Sequence, residues 1–212
     1  MLALYFGGIL VGILVALVLK NTAFKGNPVP FVMELPNYRF PSAKSVVLLM
    51  WEKAKDFLTR AFTVIFMATV IIWFMQTFDT RLNVVENSAD SILAALGRLV
   101  SPIFAPLGFG DWRMVTALVS GFTAKEAVVS TFGVILGVST EQLGIALHSL
   151  FTTASAASFL AFCLLYTPCV AAVSTIKTEL KSGWKTVGIV FAQCMVAWLA
   201  AFVVYHVGLL LT

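Results

Sequence analysis

The sequence predicts an all-α, polytopic integral membrane protein: about five transmembrane helices, with broken or re-entrant segments and one interfacial amphipathic helix. Three observations carry that prediction. Of 212 residues, 60% are hydrophobic and only 11% charged, where soluble domains carry about 25% charged residues. Mean hydropathy is +0.97, and several apolar runs reach the roughly 18 residues that mark a span. The net charge of +4 comes from basic residues gathered mostly in short connections. That is the pattern of the positive-inside rule and not of nucleic-acid binding.

Leu2–Leu19 is an uninterrupted apolar run, about 27 Å long as a helix and just enough to span. Lys20 and Lys25 close it, and Gly8 and Gly12 form a GxxxG pair suited to close helix packing. The run opens without a basic n-region or cleavage motif, unlike a secretory signal. An abrupt start of this kind is expected of a piece of a longer membrane protein. PFVMELPNYRFP, Pro30–Pro41, holds too many prolines for a regular helix. Ser42 is placed to cap the stretch that follows. From Ala43 to Leu58, the residues Val47, Met50, Trp51, Ala54 and Leu58 share one helical face, with Lys44, Glu52, Lys55 and Asp56 opposite. The expected element is an amphipathic surface helix with Trp51 as its anchor. This connection is the most basic in the chain and is assigned to the cytoplasm.

Ala61–Phe78 is the second clear span, and the polar residues Asp79–Asp90 form a loop on the opposite side. Ile92–Phe109 is apolar but carries Pro102 and Pro106, which predicts a re-entrant or interfacial element, with a kinked span as the alternative. Met114–Val138 is long enough to cross yet holds Lys125 and Glu126 near its centre. Ser155–Ile176 crosses with Pro168 inside it, Lys177–Lys185 is a short basic loop, and Thr186–Leu211 is the last span. Five crossings would put the two basic loops on opposite faces. One more crossing between Thr80 and Asp111, or one segment that returns without crossing, restores the positive-inside rule. The division expected is 1–60 (first helix, Pro-rich loop, amphipathic helix) and 61–212 (the remaining spans).

The chemistry is sought where the chain breaks membrane rules. A charge at a helix centre costs roughly 2.5–3.5 kcal/mol on insertion scales. Lys125 and Glu126, as neighbours, point about 100° apart and cannot simply pair. Each needs its own partner, a wet cavity or a helix break, and Gly121, Thr123 and Ala124 favour a break. Both are gating candidates. Pro168 removes a backbone hydrogen bond and frees carbonyls that an ion path would satisfy. Beside it, Thr167 offers a hydroxyl oxygen, and Cys169 offers a sulfur that suits transition metals once a cation has driven its deprotonation. Cys163 and Cys194 lack the proline and are assigned to packing. A disulfide framework is not expected of three cysteines inside apolar runs. His148 and His206 are read as interfacial, and Glu34 as a solvated loop acid.

Four unusual strings, PFVMELPNYRFP, SPIFAPLGFGDWR, GFTAKEAVVSTFG and LLYTPCVAAV, occur in an order and spacing that resemble the ferrous iron transport protein B family. The resemblance runs along almost the whole chain. It implies that about 101–173 is the second of two related gate segments in that family's membrane region. It also implies that Pro168–Cys169 corresponds to a proline–cysteine motif proposed to line the Fe²⁺ path, and that Lys125–Glu126 corresponds to an AKE signature. The same family carries an N-terminal GTP-binding domain, whereas no G-x-x-x-x-G-K-[ST] phosphate loop occurs here.

The expectation that follows is the C-terminal half of a GTP-coupled Fe²⁺ permease in the cell inner membrane. Cys169 is the candidate metal-path ligand, with Thr167 secondary to it, and Pro168, Lys125 and Glu126 are the transport or gating residues. Fe²⁺ is transported substrate, and no cofactor is expected on this chain. The expected partners are the lipid membrane, the N-terminal GTPase and first-gate half, and a second copy of the chain; nucleic acid is not among them. Two alternatives stand beside this reading. One is a gate-type transporter or sensor of nucleosides or other small solutes, although the only intramembrane amides are Gln76 and Gln193. The other is a structural membrane subunit with no site of its own. No nucleophile–base pair or HExxH motif supports an enzyme.

Overall fold

The computed structural model describes residues 2–21, 40–139, 141–167 and 169–211. The chain divides into two compact units, Met1–Leu58 and Thr59–Thr212. In the first unit, α1 covers Leu2–Asn21, with Lys20 in its last turn where a cation suits the helix dipole. Its apolar side chains are exposed all round, Leu2, Tyr5, Phe6 and Leu10 among them. This is the surface of a helix meant for lipid or other helices. The Pro-rich stretch, Glu34 included, lies outside the described residues apart from Phe40 and Pro41.

Ser42 caps α2 (Ala43–Arg60) as its position predicts, its Oγ accepting from the Ser45 N–H at 3.2 Å. The expected amphipathic helix exists but does not end before the span. Ala43–Thr77 runs on as one apolar helix, through a π turn at Ala61–Ile65 and α3 (Phe66–Thr77). The reason is compositional, since no glycine or proline stands between Ala43 and Thr77.

A polar turn follows in the second unit, built on Asp79, whose carboxylate accepts from the backbone N–H groups of Arg81 (2.7 Å) and Asn83 (2.9 Å). Ser91 then caps α4 (Ile92–Phe104), accepting from Ala94 N–H at 3.1 Å. Helix α4 contains Pro102, passes through a single 3₁₀ turn at Ala105–Leu107, and meets α5 (Trp112–Gly121) at a bend of 103°. The corner needs Gly108, whose φ of +79° and contact with the Tyr205 ring leave no space for a Cβ. Asp111 caps α5 through the Arg113 N–H at 2.8 Å. The Ser101 hydroxyl reaches across the corner to the Gly110 carbonyl. The segment that carries Pro102 and Pro106 is thus a bent helix pair, the geometry of a broken span or of a re-entrant loop.

Met114–Val138 does not form a single span. Helix α5 ends at Gly121, and α6 covers only Ala127–Leu136, so the costly Lys125–Glu126 pair sits in a turn and not in a helix centre. Next come α7 (Leu143–Leu150), α8 (Thr153–Leu165), α9 (Val170–Leu180) and α10 (Gly183–Leu211). Among the described residues three helices are long and apolar enough to cross a membrane: Ala43–Thr77, Thr153–Leu180 and Gly183–Leu210. A fourth crossing results if the α4–α5 pair is one span, and Tyr5–Asn21 and Ala127–Leu136 are shorter apolar helices.

Helices α8 and α10 form the most extensive pairing. Ala197 and Ala201 are fully buried, Gly208 approaches Ala154, and the buried Ser158 hydroxyl donates to the Ala201 carbonyl at 2.9 Å. Small residues at such a seam let the backbones approach, which is how helices associate without a hydrophobic force between them. Around this seam the core is aromatic. Phe109 packs edge-on against Phe159 at 5.4 Å between centroids, and Phe162 stacks with Tyr166 at 5.4 Å.

Candidate functional site

Two interruptions define the site. The first is the Phe122–Glu126 turn between α5 and α6, and the second is the Tyr166–Cys169 break between α8 and α9. Helix ends inside a bilayer leave N–H and C=O groups that water cannot satisfy. These two ends satisfy each other. The Val170 N–H, at the start of α9, donates to the Phe122 carbonyl at the end of α5, at 3.0 Å.

The Lys125 ammonium caps the other side. Its Nζ donates to the carbonyl of Cys163 at 2.9 Å and to that of Leu164 at 3.3 Å, and lies 4.9 Å from the Tyr166 ring centroid. Leu164 is four residues before Pro168, so its carbonyl is the one that loses its helical donor to a proline. A cation at the C-terminal end of a half-helix, over an aromatic face, is favoured by the helix dipole and by the ring quadrupole together. Glu126 takes the opposite course. It is exposed, its side chain does not cap α6, and no described residue pairs with it.

Local sequence explains how the breaks fit. Gly121 lies so close to the Val128 side chain and the Tyr166 hydroxyl that a Cβ there would collide with both. The Thr123 hydroxyl folds back to the Ser120 carbonyl at 2.7 Å and closes the end of α5. Thr167 is buried and turned towards α10. Its Oγ1 donates to the Val190 carbonyl at 3.2 Å and lies 3.0 Å from Cys194 Sγ. Cys169 is the N-cap residue of α9, half-buried, and its side chain makes no capping bond. Pro168 lies outside the described residues.

A cavity of about 830 Å³ reaches the Lys125 side of the breaks. Lys125, Cys163, Tyr166, Phe159, His148 and Thr152 are among its walls. Sequence reasoning gave Cys163 and His148 no part here. Cys163 does pack against the core, but its carbonyl also holds Lys125. Proline arithmetic signals such freed carbonyls, whereas the cation that would meet them, 39 positions away, leaves no local trace. The Tyr166 hydroxyl is buried without a hydrogen-bond partner among the described residues. Among those residues, no three His, Cys, Asp or Glu side chains are grouped to hold a metal ion.

Fold and site together define a helical membrane protein of the gate type, in which interrupted helices meet through their freed backbone groups. Residues 1–53 match the family described as ferrous iron transport protein B C terminus, and residues 58–183 match the Gate family, described as nucleoside recognition. The Fe(2+) transporter FeoB of Staphylococcus aureus (strain COL) is 39% identical over 98% of this chain, which spans 31% of that protein. FeoB of Methanocaldococcus jannaschii is 32% identical over 99% of the chain and 32% of its own length. A Porphyromonas gingivalis Fe(2+) transport protein A/FeoB fusion is 33% identical over 98% of the chain and 30% of its own length. No solved structure matches significantly. The chain belongs to the ferrous iron transport protein B family, and it spans about a third of the length of the curated relatives it matches.

Proposed function

We propose that this chain forms the C-terminal part of the membrane region of a ferrous iron permease of the cell inner membrane, and that Fe²⁺ passes at the interlocked breaks. The observation that carries the reading is the broken end of α8, where backbone carbonyls of Cys163 and Leu164 already hold a cationic group. Oxygens that bind an ammonium in a low-dielectric setting are suited to replace part of an ion's water shell. Cys169 begins α9 at the same break with its thiol uncommitted to capping and supplies the soft ligand that a transition-metal ion prefers over sodium, magnesium or calcium. Thr167, engaged with α10, serves this reading as the anchor of the break. Pro168 creates the freed carbonyl, and Lys125 and Glu126 supply mobile charge at the facing turn. GTP hydrolysis is assigned to an N-terminal half, such as the family resemblance implies.

A nucleoside substrate fits the surroundings less well. The cavity offers aromatic faces, but no side-chain amide stands among its walls to read a base edge.

The test is anaerobic Fe²⁺ uptake by importer-deficient cells that express this chain with the N-terminal half of a relative, comparing wild type with Cys169→Ser at equal membrane abundance. Loss of uptake in the variant is expected. Unchanged uptake would remove Cys169 from the path and return it to packing.

A further inference from the structure

Resting on the reading that the α8–α9 break lies on the ion path, we infer that Lys125 is a tethered stand-in for the transported cation. In the state described here its ammonium occupies the divalent-cation site, and a cation enters only by displacing it. Three observations meet at this residue. First, its Nζ is bonded to two carbonyls, of Cys163 (2.9 Å) and Leu164 (3.3 Å), at the C-terminal end of a half-helix and over the Tyr166 ring at 4.9 Å. Every one of these groups attracts positive charge without regard to what carries it. Second, the ammonium is not sealed in. Lys125 is only partly buried and lines the same cavity as the Cys163 and Tyr166 side chains, so an aqueous ion has an approach and the lysine has somewhere to go. Third, the hydroxyl of that same Tyr166 is buried and unpaired among the described residues, an acceptor left over after Lys125 has taken its bonds.

The chemistry of lysine suits the role. Its ammonium is a compact point charge on a flexible four-carbon stem, and it can leave without dismantling the helix ends. The Val170–Phe122 backbone bond holds the two breaks together independently of it. A purely structural cap would also satisfy the carbonyls, but it would not compete with metal. The two roles therefore separate in a competition experiment.

The chain is reconstituted in lipid nanodiscs under anaerobic conditions, with Mn²⁺ as a redox-quiet probe. The alkylation rate of Cys163 by N-ethylmaleimide is followed by residue-resolved mass spectrometry. In Lys125→Met, which keeps the stem and loses the charge, Mn²⁺ saturates at about tenfold or more lower concentration than in wild type. That is a conservative share of a unit charge's repulsion at contact distance. Lys125→Arg behaves as wild type. Equal Mn²⁺ protection in wild type and Lys125→Met, or none in either, overturns the inference.

A second measurement needs no variant. Saturating Mn²⁺ should raise the reductive methylation of Lys125 in the wild-type chain, relative to Lys177 and Lys185, because the displaced ammonium becomes accessible. Methylation that does not respond to Mn²⁺ overturns the inference even if Lys125→Met fails to fold. Neither readout measures uptake, so failure of the stand-in role is distinguishable from failure of Cys169 as a path residue.

Discussion

Thr167 and Cys169 are two positions apart and differ in what they hold. The Thr167 hydroxyl ties the break to α10 through Val190 and Cys194, whereas Cys169 makes no capping bond. Thr167→Val keeps the shape and removes the bond, so it should cost about 1–2 kcal/mol, the usual loss for a buried hydrogen bond. Its signature is a lower melting temperature in detergent, which Cys169→Ser should not share. Gly121→Ala places a methyl group against Val128 and the Tyr166 hydroxyl and should destabilise by about 1–3 kcal/mol through overpacking, read in the same thermal assay. Asp79 gives the pH dependence. Its carboxyl is held below its usual value chiefly by the Asn83 backbone N–H, with those of Arg81 adding to it. A depressed carboxylate stabilises its turn fully above the ordinary value, and the contribution is lost as pH falls through the lowered one. Hydrogen exchange at the Arg81 and Asn83 amides, corrected for its intrinsic pH dependence, should therefore lose protection only in the acid range. Asp79→Asn should abolish that step.

At the scale of elements, the α8–α10 seam lies beside the second break and is expected to position it. Ala201 is fully buried and its carbonyl accepts the Ser158 hydroxyl at 2.9 Å, so Ala201→Leu would push α8 away and carry the Tyr166–Cys169 break with it. The expected cost is about 1–3 kcal/mol, together with faster Cys169 alkylation. A thiol rate unchanged alongside a lowered melting temperature would show that the break is positioned locally and not by the seam. The Gly108 corner plays the matching part for the α4–α5 pair. It turns the chain where Pro102 and Pro106 have already weakened the helix, and the Trp198 indole N–H binds the Ile103 carbonyl at 3.0 Å beside it.

At the scale of the molecule, the second unit pairs irregular backbone with irregular backbone, the Val170 N–H with the Phe122 carbonyl, as interrupted helices in a membrane protein require. Because Gly121 lies against Tyr166 and the Val170 N–H binds the Phe122 carbonyl, changes at the two breaks should not add. The double variant Gly121→Ala/Thr167→Val should show a coupling energy of about 0.5–3 kcal/mol in a thermal or denaturant cycle. Strict additivity would mean that the breaks are adjacent but independent. The membrane class, the proline-bent segment, the Ser42 cap and the place of the interruptions were all legible in one dimension, since apolar run length, proline and glycine act locally. The continuity of Ala43–Thr77 was legible too, in the lack of any breaker, although the amphipathic face pointed to a separate surface helix.

What the sequence determined by itself is where the helices are interrupted, at Lys125–Glu126 and at Pro168, residues that an apolar helix does not carry at ease. Only the tertiary structure decided which groups meet at those interruptions. Lys125 is bonded to Cys163 and Leu164, 38 and 39 positions along the chain, Val170 to Phe122, and Thr167 to α10. The physical reason is that an unmet carbonyl or ammonium is a local property of sequence, whereas the group that meets it depends on which helices lie side by side. For Thr167 that neighbour is α10, which packs on α8 through small residues.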